Sequence, residues 1–189
     1  ELPARCSWLV DGSLNRVLMR HCYFPLTSAI LAFLRKHEPG HANVAVVTGT
    51  PGTGKSQYGN ALVAQLVDVA ARDFAVVADF KLGCAVFEPH AEGAPVPVRF
   101  VKPHARASLP ELKSRSTVYI YDVRPNEKEF FSGVHFRCGV VILASPKADH
   151  WDKLKKPANF RSFWMPLWQL HELEAARAVC YPHVSAAEL

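Results

Sequence analysis

The eight residues Gly49-Thr50-Pro51-Gly52-Thr53-Gly54-Lys55-Ser56 satisfy G-x-x-x-x-G-K-[ST] at every fixed position. The chemistry served by this spacing is the capture of a phosphate tail. Glycines let the chain turn tightly enough for backbone amides around Gly52, Thr53, Gly54 and Lys55 to converge on one anion. The Lys55 ammonium would reach the β- and γ-phosphates, and the Ser56 hydroxyl would hold Mg²⁺. Gly49 through Gln57 (Gly49, Thr50, Pro51, Gly52, Thr53, Gly54, Lys55, Ser56, Gln57) are therefore the candidate nucleotide-binding residues. The expected ligand is a nucleoside triphosphate, ATP or another.

Such a loop works only between a strand and a helix, and the flanks supply both. Val44, Ala45, Val46 and Val47 form a short apolar run, the mark of a strand buried on both faces. Ala61, Leu62, Ala64, Gln65 and Leu66 follow at helical spacing, so the helix dipole and its unpaired first amides would favour an anion. A chance glycine-rich turn is the competing reading, and the flanking elements argue against it.

A second chemical signal is Ser116 to Asp122 (Ser-Thr-Val-Tyr-Ile-Tyr-Asp), a run of β-formers ending in a carboxylate. In α/β sheets ligands bind at the carboxyl ends of strands, where this aspartate would stand. Roughly 65 residues after a full phosphate loop, it has the form of a Walker B element, whose acid holds Mg²⁺. Val123 and Arg124 follow, where many hydrolases of this type place a glutamate. Glu127 and Glu129 are the nearest carboxylates that could orient water, against the commoner fate of a solvated loop side chain. Cys138 to Ala144 reads as another buried strand, and Ser145 at its end is either a γ-phosphate or water contact or a turn-capping hydroxyl. Lys153, Lys155 and Lys156, beside His150 and Trp151, could face nucleic acid, but Asp149 and Asp152 favour a solvated helix face.

The remaining elements must carry these groups. Residues 1–25 read as an irregular lead-in with a short helix over Leu14 to Arg20. Thr27 or Ser28 would cap a helix to about Lys36, striped by Ile30, Leu31, Phe33 and Leu34, and ended by Pro39-Gly40. Phe74 to Phe80 reads as a strand. The proline-punctuated stretch from Lys81 to Pro110 fits a hairpin of Ala85-Val86-Phe87 and Val98-Arg99-Phe100-Val101 at a sheet edge, where proline is tolerated. Arg161 to Trp168 reads as a last strand with its aromatic residues in the core, and Gln169 to Val179 as an amphipathic helix.

A length of 189 residues fits one domain with a sizeable core. No apolar run approaches the roughly 18 residues of a membrane span, which argues against a membrane partner. The five cysteines are scattered without a C-x-x-C pair, so reduced thiols in an intracellular setting are expected over a metal site or disulfide framework. A net charge of +5 leaves DNA or RNA open as partners without requiring either. The opening Glu1-Leu2-Pro3 lacks a methionine, and the chain reads as a piece of something longer.

In order, the phosphate loop, Tyr119-Ile120-Tyr121-Asp122-Val123, Val141-Ile142-Leu143-Ala144-Ser145-Pro146-Lys147 and Phe163-Trp164-Met165-Pro166-Leu167-Trp168-Gln169-Leu170-His171-Glu172-Leu173 resemble the P-loop NTPase domain of retrotransposon hot spot proteins and the related crinkler effectors. The likeness spans roughly residues 25 to 180. It implies an ATPase-like module fused to further domains, such as a nuclease-like one, with nuclear or host-nuclear roles. It assigns Lys55 and Ser56 to phosphate and Mg²⁺, and Asp122 to the metal. Lys147 stands where the family usually has asparagine, a departure that puts that residue's sensor role in question and could substitute a positive charge near the γ-phosphate.

The expected fold is thus a three-layer α/β P-loop NTPase: a mostly parallel sheet, an added edge hairpin, and helices on both faces. Residues 1–189 form one domain, with residues 170–189 the start of a truncated helical lid. The expected function is Mg²⁺-dependent ATP binding with slow hydrolysis, coupled to nucleic acid or a fused effector domain. Lys55, Asp122, Glu127, Glu129 and Ser145 are the candidate catalytic residues, and Ser56 and Asp122 the metal ligands. Two alternatives stand beside it: a phosphotransferase using Arg106, Arg115 and Arg124, and a nucleotide-binding module without hydrolysis.

Overall fold

The computed structural model describes residues 18–36, 42–70, 74–91, 93–123, 135–146 and 159–180, together with Ser185. Among the described residues the helices are α1 (Tyr23–Leu34), α2 (Lys55–Ala70) and α3 (Leu170–Cys180). The strands are β1 (Asn43–Thr48), β2 (Ala75–Phe80), β3 (Gly83–Phe87), β4 (Val98–Val101), β5 (Thr117–Asp122), β6 (Gly139–Leu143) and β7 (Asn159–Trp164). They form one sheet in the order β4-β3-β2-β5-β6-β1-β7. From β2 to β7 all pairings are parallel, and β2-β3 and β3-β4 are antiparallel. The expected edge hairpin is β3-β4, and exposed β4 closes that side of the sheet.

Strands β1 and β2 are buried along their whole length and β5 up to its half-buried terminal Asp122, as parallel strands covered on both faces must be. Their alternation splits the core into two layers. Ala45, Val47, Ala78, Phe80, Ile120, Val141 and Leu143 face α1 and α2. Val44, Val46, Val77, Tyr119, Tyr121, Val140 and Ile142 face the other way, against Leu109 and Leu112. Leu112 lies in the second of two consecutive 3-10 turns, Pro103–Ser108 and Pro110–Lys113, and Leu109 is the residue between them. Helices were expected on both faces. Among the described residues both α1 and α2 lie on one face, and 3-10 turns pack the opposite one.

Helix α1 begins at Tyr23, earlier than Thr27 or Ser28, with Cys22 at its N-cap. Pro25 falls in the first turn, where no intrahelical carbonyl awaits its missing amide. Thr27 is consequently inside the helix, with Oγ1 3.1 Å from Tyr58 Oη. Residues 18–20 are not helical, and the rest of the expected helix over Leu14 to Arg20 lies outside the described residues. The far end of α1 is tied to the sheet by Asn43, whose Nδ2 donates to Phe33 O and Leu34 O at 3.1 Å. Strand β7 occupies 159–164 and ends before Pro166. Phe163 is buried but Trp164 is 67% exposed, so the aromatic residues there are not all core.

Gly59 brings α2 close to the sheet. An added Cβ would lie 2.6 Å from Phe80 Cε1 and nearer still to Leu143 Cδ1. Both are fully buried, so neither ring nor branch has free space to retreat into. Gly59→Ala is expected to cost about 1–3 kcal/mol through overpacking, outweighing the ~1 kcal/mol helix-propensity gain. Gly83→Ala, whose Cβ would meet nothing within 4 Å, serves as the control. Thermal unfolding should therefore show a lower midpoint for Gly59→Ala only.

Candidate functional site

The glycine-rich turn joins β1 directly to α2, as the sequence requires. Gly52 and Gly54 have φ of 82° and 87°, in the left-handed region that side chains avoid. At Gly49 and Gly54 space is also short: an added Cβ would lie 3.0 Å from Met165 O and 3.1 Å from Tyr23 Oη respectively. Thr53 closes the turn on Thr50 O, through its amide at 3.4 Å and its hydroxyl at 2.9 Å. The first helical bond of α2 runs from the Tyr58 amide to Gly54 O at 2.8 Å. The amides of Lys55, Ser56 and Gln57 therefore occupy the first turn, where a helix has no carbonyl of its own to offer them. They mark the positive end of a 16-residue helix.

Lys55 bends back over this turn. Its Nζ donates to Gly49 O and to Thr50 O, each at 2.9 Å. Burial lowers its pKa below the ordinary lysine value, and the negative charge of Asp122 opposes that shift. The charge of the carboxylate that ends β5 is thus felt at the ammonium that heads α2.

Sheet register explains how they meet. Asp122 pairs with Leu143, and Leu143 pairs with Val47, so the ends of β5, β6 and β1 form one row. Val118 and Ile120 of β5 face α2, and alternation places Asp122 next on that face. Beyond the row, the Ala144 amide donates to Val47 O at 3.0 Å, which seats half-buried Ser145 beside the start of the turn. The structure therefore brings Gly49–Gln57, Asp122 and Ser145 to one end of the sheet. Gln57 is half-buried, and its Oε1 has no hydrogen-bond partner among the described residues.

Other candidates fall elsewhere. Glu127, Glu129, Arg124, Lys147 and the lysines at 153, 155 and 156 lie outside the described residues. Arg106 sits on the opposite face of the sheet, buried beside Asp79 with Nη1 3.6 Å from Oδ1. Asp79 also accepts from Tyr119 Oη at 3.0 Å. A guanidinium held in that buried site is not placed to serve the glycine-rich turn, and Arg115 is exposed. Cys22, Cys84 and Cys138 form no disulfide among the described residues.

No group of three or more His, Cys, Asp or Glu side chains is arranged for a metal among the described residues. A hydroxyl at Ser56 and one carboxylate at Asp122 are nevertheless a donor set that suits Mg²⁺. That ion takes one or two protein oxygens and completes its shell with phosphate oxygens and water.

Nothing in the local pattern of residues announces what surrounds the turn from outside. Trp168 Nε1 donates to Gly52 O at 2.9 Å, Arg20 Nη1 to Thr53 O at 2.8 Å, and Tyr23 Oη to Gly54 O at 3.3 Å. Three consecutive carbonyls are thereby engaged on one side. Burial pushes the Tyr23 phenol up to about 12, so it remains a donor throughout the ordinary pH range. Trp168 belongs to the Met-Pro-Leu-Trp segment noted in the sequence, but nothing local singles out Arg20.

No protein-family model matches this chain, and no curated protein matches it significantly.

Proposed function

We propose that the chain is a Mg²⁺-dependent nucleoside triphosphatase of the P-loop class that binds ATP and hydrolyses it slowly. The observation that carries this reading is the Lys55 ammonium folded across a left-handed glycine turn at the head of α2, within electrostatic range of Asp122. In this reading the loop amides and Lys55 grip the β- and γ-phosphates. Ser56 and Asp122 would hold Mg²⁺, which when bound offsets charge on the phosphate oxygens. Ser145, one strand away from Asp122, would orient the γ-phosphate or the attacking water. Glu127 and Glu129 remain the candidates for a general base.

Slow turnover is favoured by the residue after Asp122. Val123 packs with the second core layer, so no carboxylate follows the metal-binding one. The same observation supports the second reading, a module that holds nucleotide without hydrolysing it. Phosphotransfer is less well supported, because Arg106 is committed to Asp79. The resemblance to the retrotransposon hot spot and crinkler NTPase domains accords with this proposal, and with it a fused effector domain, a nucleic-acid partner and a nuclear site of action. No described helix is long and apolar enough to cross a membrane.

Phosphate release under single-turnover conditions tests the choice, with Mg²⁺ and no acceptor, and with or without DNA or RNA. Slow Mg²⁺-dependent release supports the triphosphatase. ATP that stays bound and intact supports the binding module, and transfer seen only with an added acceptor supports the kinase. Protein that retains no nucleotide in Mg²⁺ overturns all three.

A further inference from the structure

We propose that Arg20 and Trp168 are positioning residues, which orient the phosphate turn by holding its carbonyls outward so that its amides face the anion. This rests on the phosphate-binding reading above, and it gives the Met165-Pro166-Leu167-Trp168 segment a role.

Arg20 is 2% exposed, and each of its five N–H donors has an acceptor. Nε and Nη2 grip Glu172 at 3.2 and 2.8 Å. Nη1 reaches Thr53 O at 2.8 Å and Pro166 O at 3.2 Å, while Nη2 also reaches Leu167 O at 2.9 Å. The guanidinium lies 4.2 Å from the centre of the Trp168 ring, and that ring's Nε1 holds Gly52 O. Met165 completes the seam, its amide 2.7 Å from Thr48 O at the entrance to the turn. One cation thus joins the approach to α1, the phosphate turn, the segment after β7 and the first turn of α3.

A buried ion pair contributes little net stability, because desolvation offsets attraction. What this one fixes is direction. In a trans peptide the C=O and the following N–H point opposite ways. Drawing Thr53 O outward to Arg20 turns the Gly54 amide inward, and drawing Gly54 O toward Tyr23 does the same for the Lys55 amide. The Thr53 amide, opposite the carbonyl held by Trp168, likewise points into the turn, where it meets Thr50 O. A turn without these outer anchors could rotate its peptide planes and lose the convergence that anion binding needs.

Trp168→Phe keeps the ring over the guanidinium and removes only the donor to Gly52. Arg20→Lys keeps the charge and reduces five donors to three. Affinity for inorganic tripolyphosphate and for ATP, both with Mg²⁺, is measured by calorimetry well below the unfolding midpoint, beside that midpoint itself. Trp168→Phe should bind both ligands about 3- to 10-fold more weakly, by the same factor, with an unchanged midpoint. Arg20→Lys should lose about 10- to 100-fold. Equal loss for the two ligands places the effect at the phosphates, which a merely structural role would not do. Unchanged affinity in Trp168→Phe overturns the inference while leaving the nucleotide site standing, and it decides the matter even where Arg20→Lys does not fold. Wild-type protein that binds neither ligand overturns the nucleotide reading, and this inference with it.

Discussion

Lys55→Ala is expected to weaken Mg²⁺-ATP binding by about 100-fold or more, while the protein stays folded. Hydrogen bonds to charged groups are worth about 1.5–3 kcal/mol each, and the ammonium would make more than one to the phosphate tail. Its present bonds are to Gly49 O and Thr50 O, of which Thr50 O also accepts from Thr53. Glycine conformation, the outer anchors on Gly52, Thr53 and Gly54, and the core beneath α2 do not involve the ammonium. The thermal midpoint without ligand should therefore move little, and titration with Mg²⁺-ATP should reveal the loss. Equal affinity in the variant and the wild type would mean that the turn does not bind phosphate through this lysine. Since binding underlies triphosphatase, kinase and holding module alike, this substitution tests the site and leaves the choice among them to turnover.

Asp122→Asn separates metal from nucleotide. The substitution preserves shape at the end of β5 and removes the negative charge that acts on Lys55. ATP binding in the absence of Mg²⁺ should persist, because the turn and its ammonium are intact. The gain in affinity on adding Mg²⁺ should shrink, and phosphate release should fall about 10²- to 10³-fold, the range for losing a preorganised electrostatic contact in a reaction site. Retention of both Mg²⁺ dependence and turnover would remove Asp122 from the metal site. The row Asp122–Leu143–Val47 makes the alternatives few, since Ser145 is the next polar side chain along that end of β6.

The sequence alone determined the parts whose physics is local. A glycine turn, its lysine and its hydroxyl lie within eight consecutive residues, and strand and helix on either side are short-range patterns. Asp122 was legible as a strand-end carboxylate, and the β3-β4 hairpin as a proline-marked edge. The start of α1 differs from the expected Thr27 or Ser28 because the helix begins at Tyr23 without a side-chain cap, and a hydroxyl residue inside a helix looks like a cap in the sequence. Strand order was not legible either, because buried parallel strands present nearly identical apolar runs, so nothing local says that β6 separates β1 from β5.

Only tertiary structure decided what holds the turn. Arg20 and Glu172 are 152 positions apart, and Trp168 and Gly52 are 116 apart. Their pairing depends on β7 lying beside β1, which brings the segment after one strand against the loop after the other. Hydrogen bonds to backbone carbonyls leave no trace in side-chain pattern, since any residue supplies the acceptor. The chain's own order of residues thus specifies the glycine turn with its lysine and hydroxyl, and folding alone supplies Arg20, Tyr23 and Trp168, which bond its carbonyls.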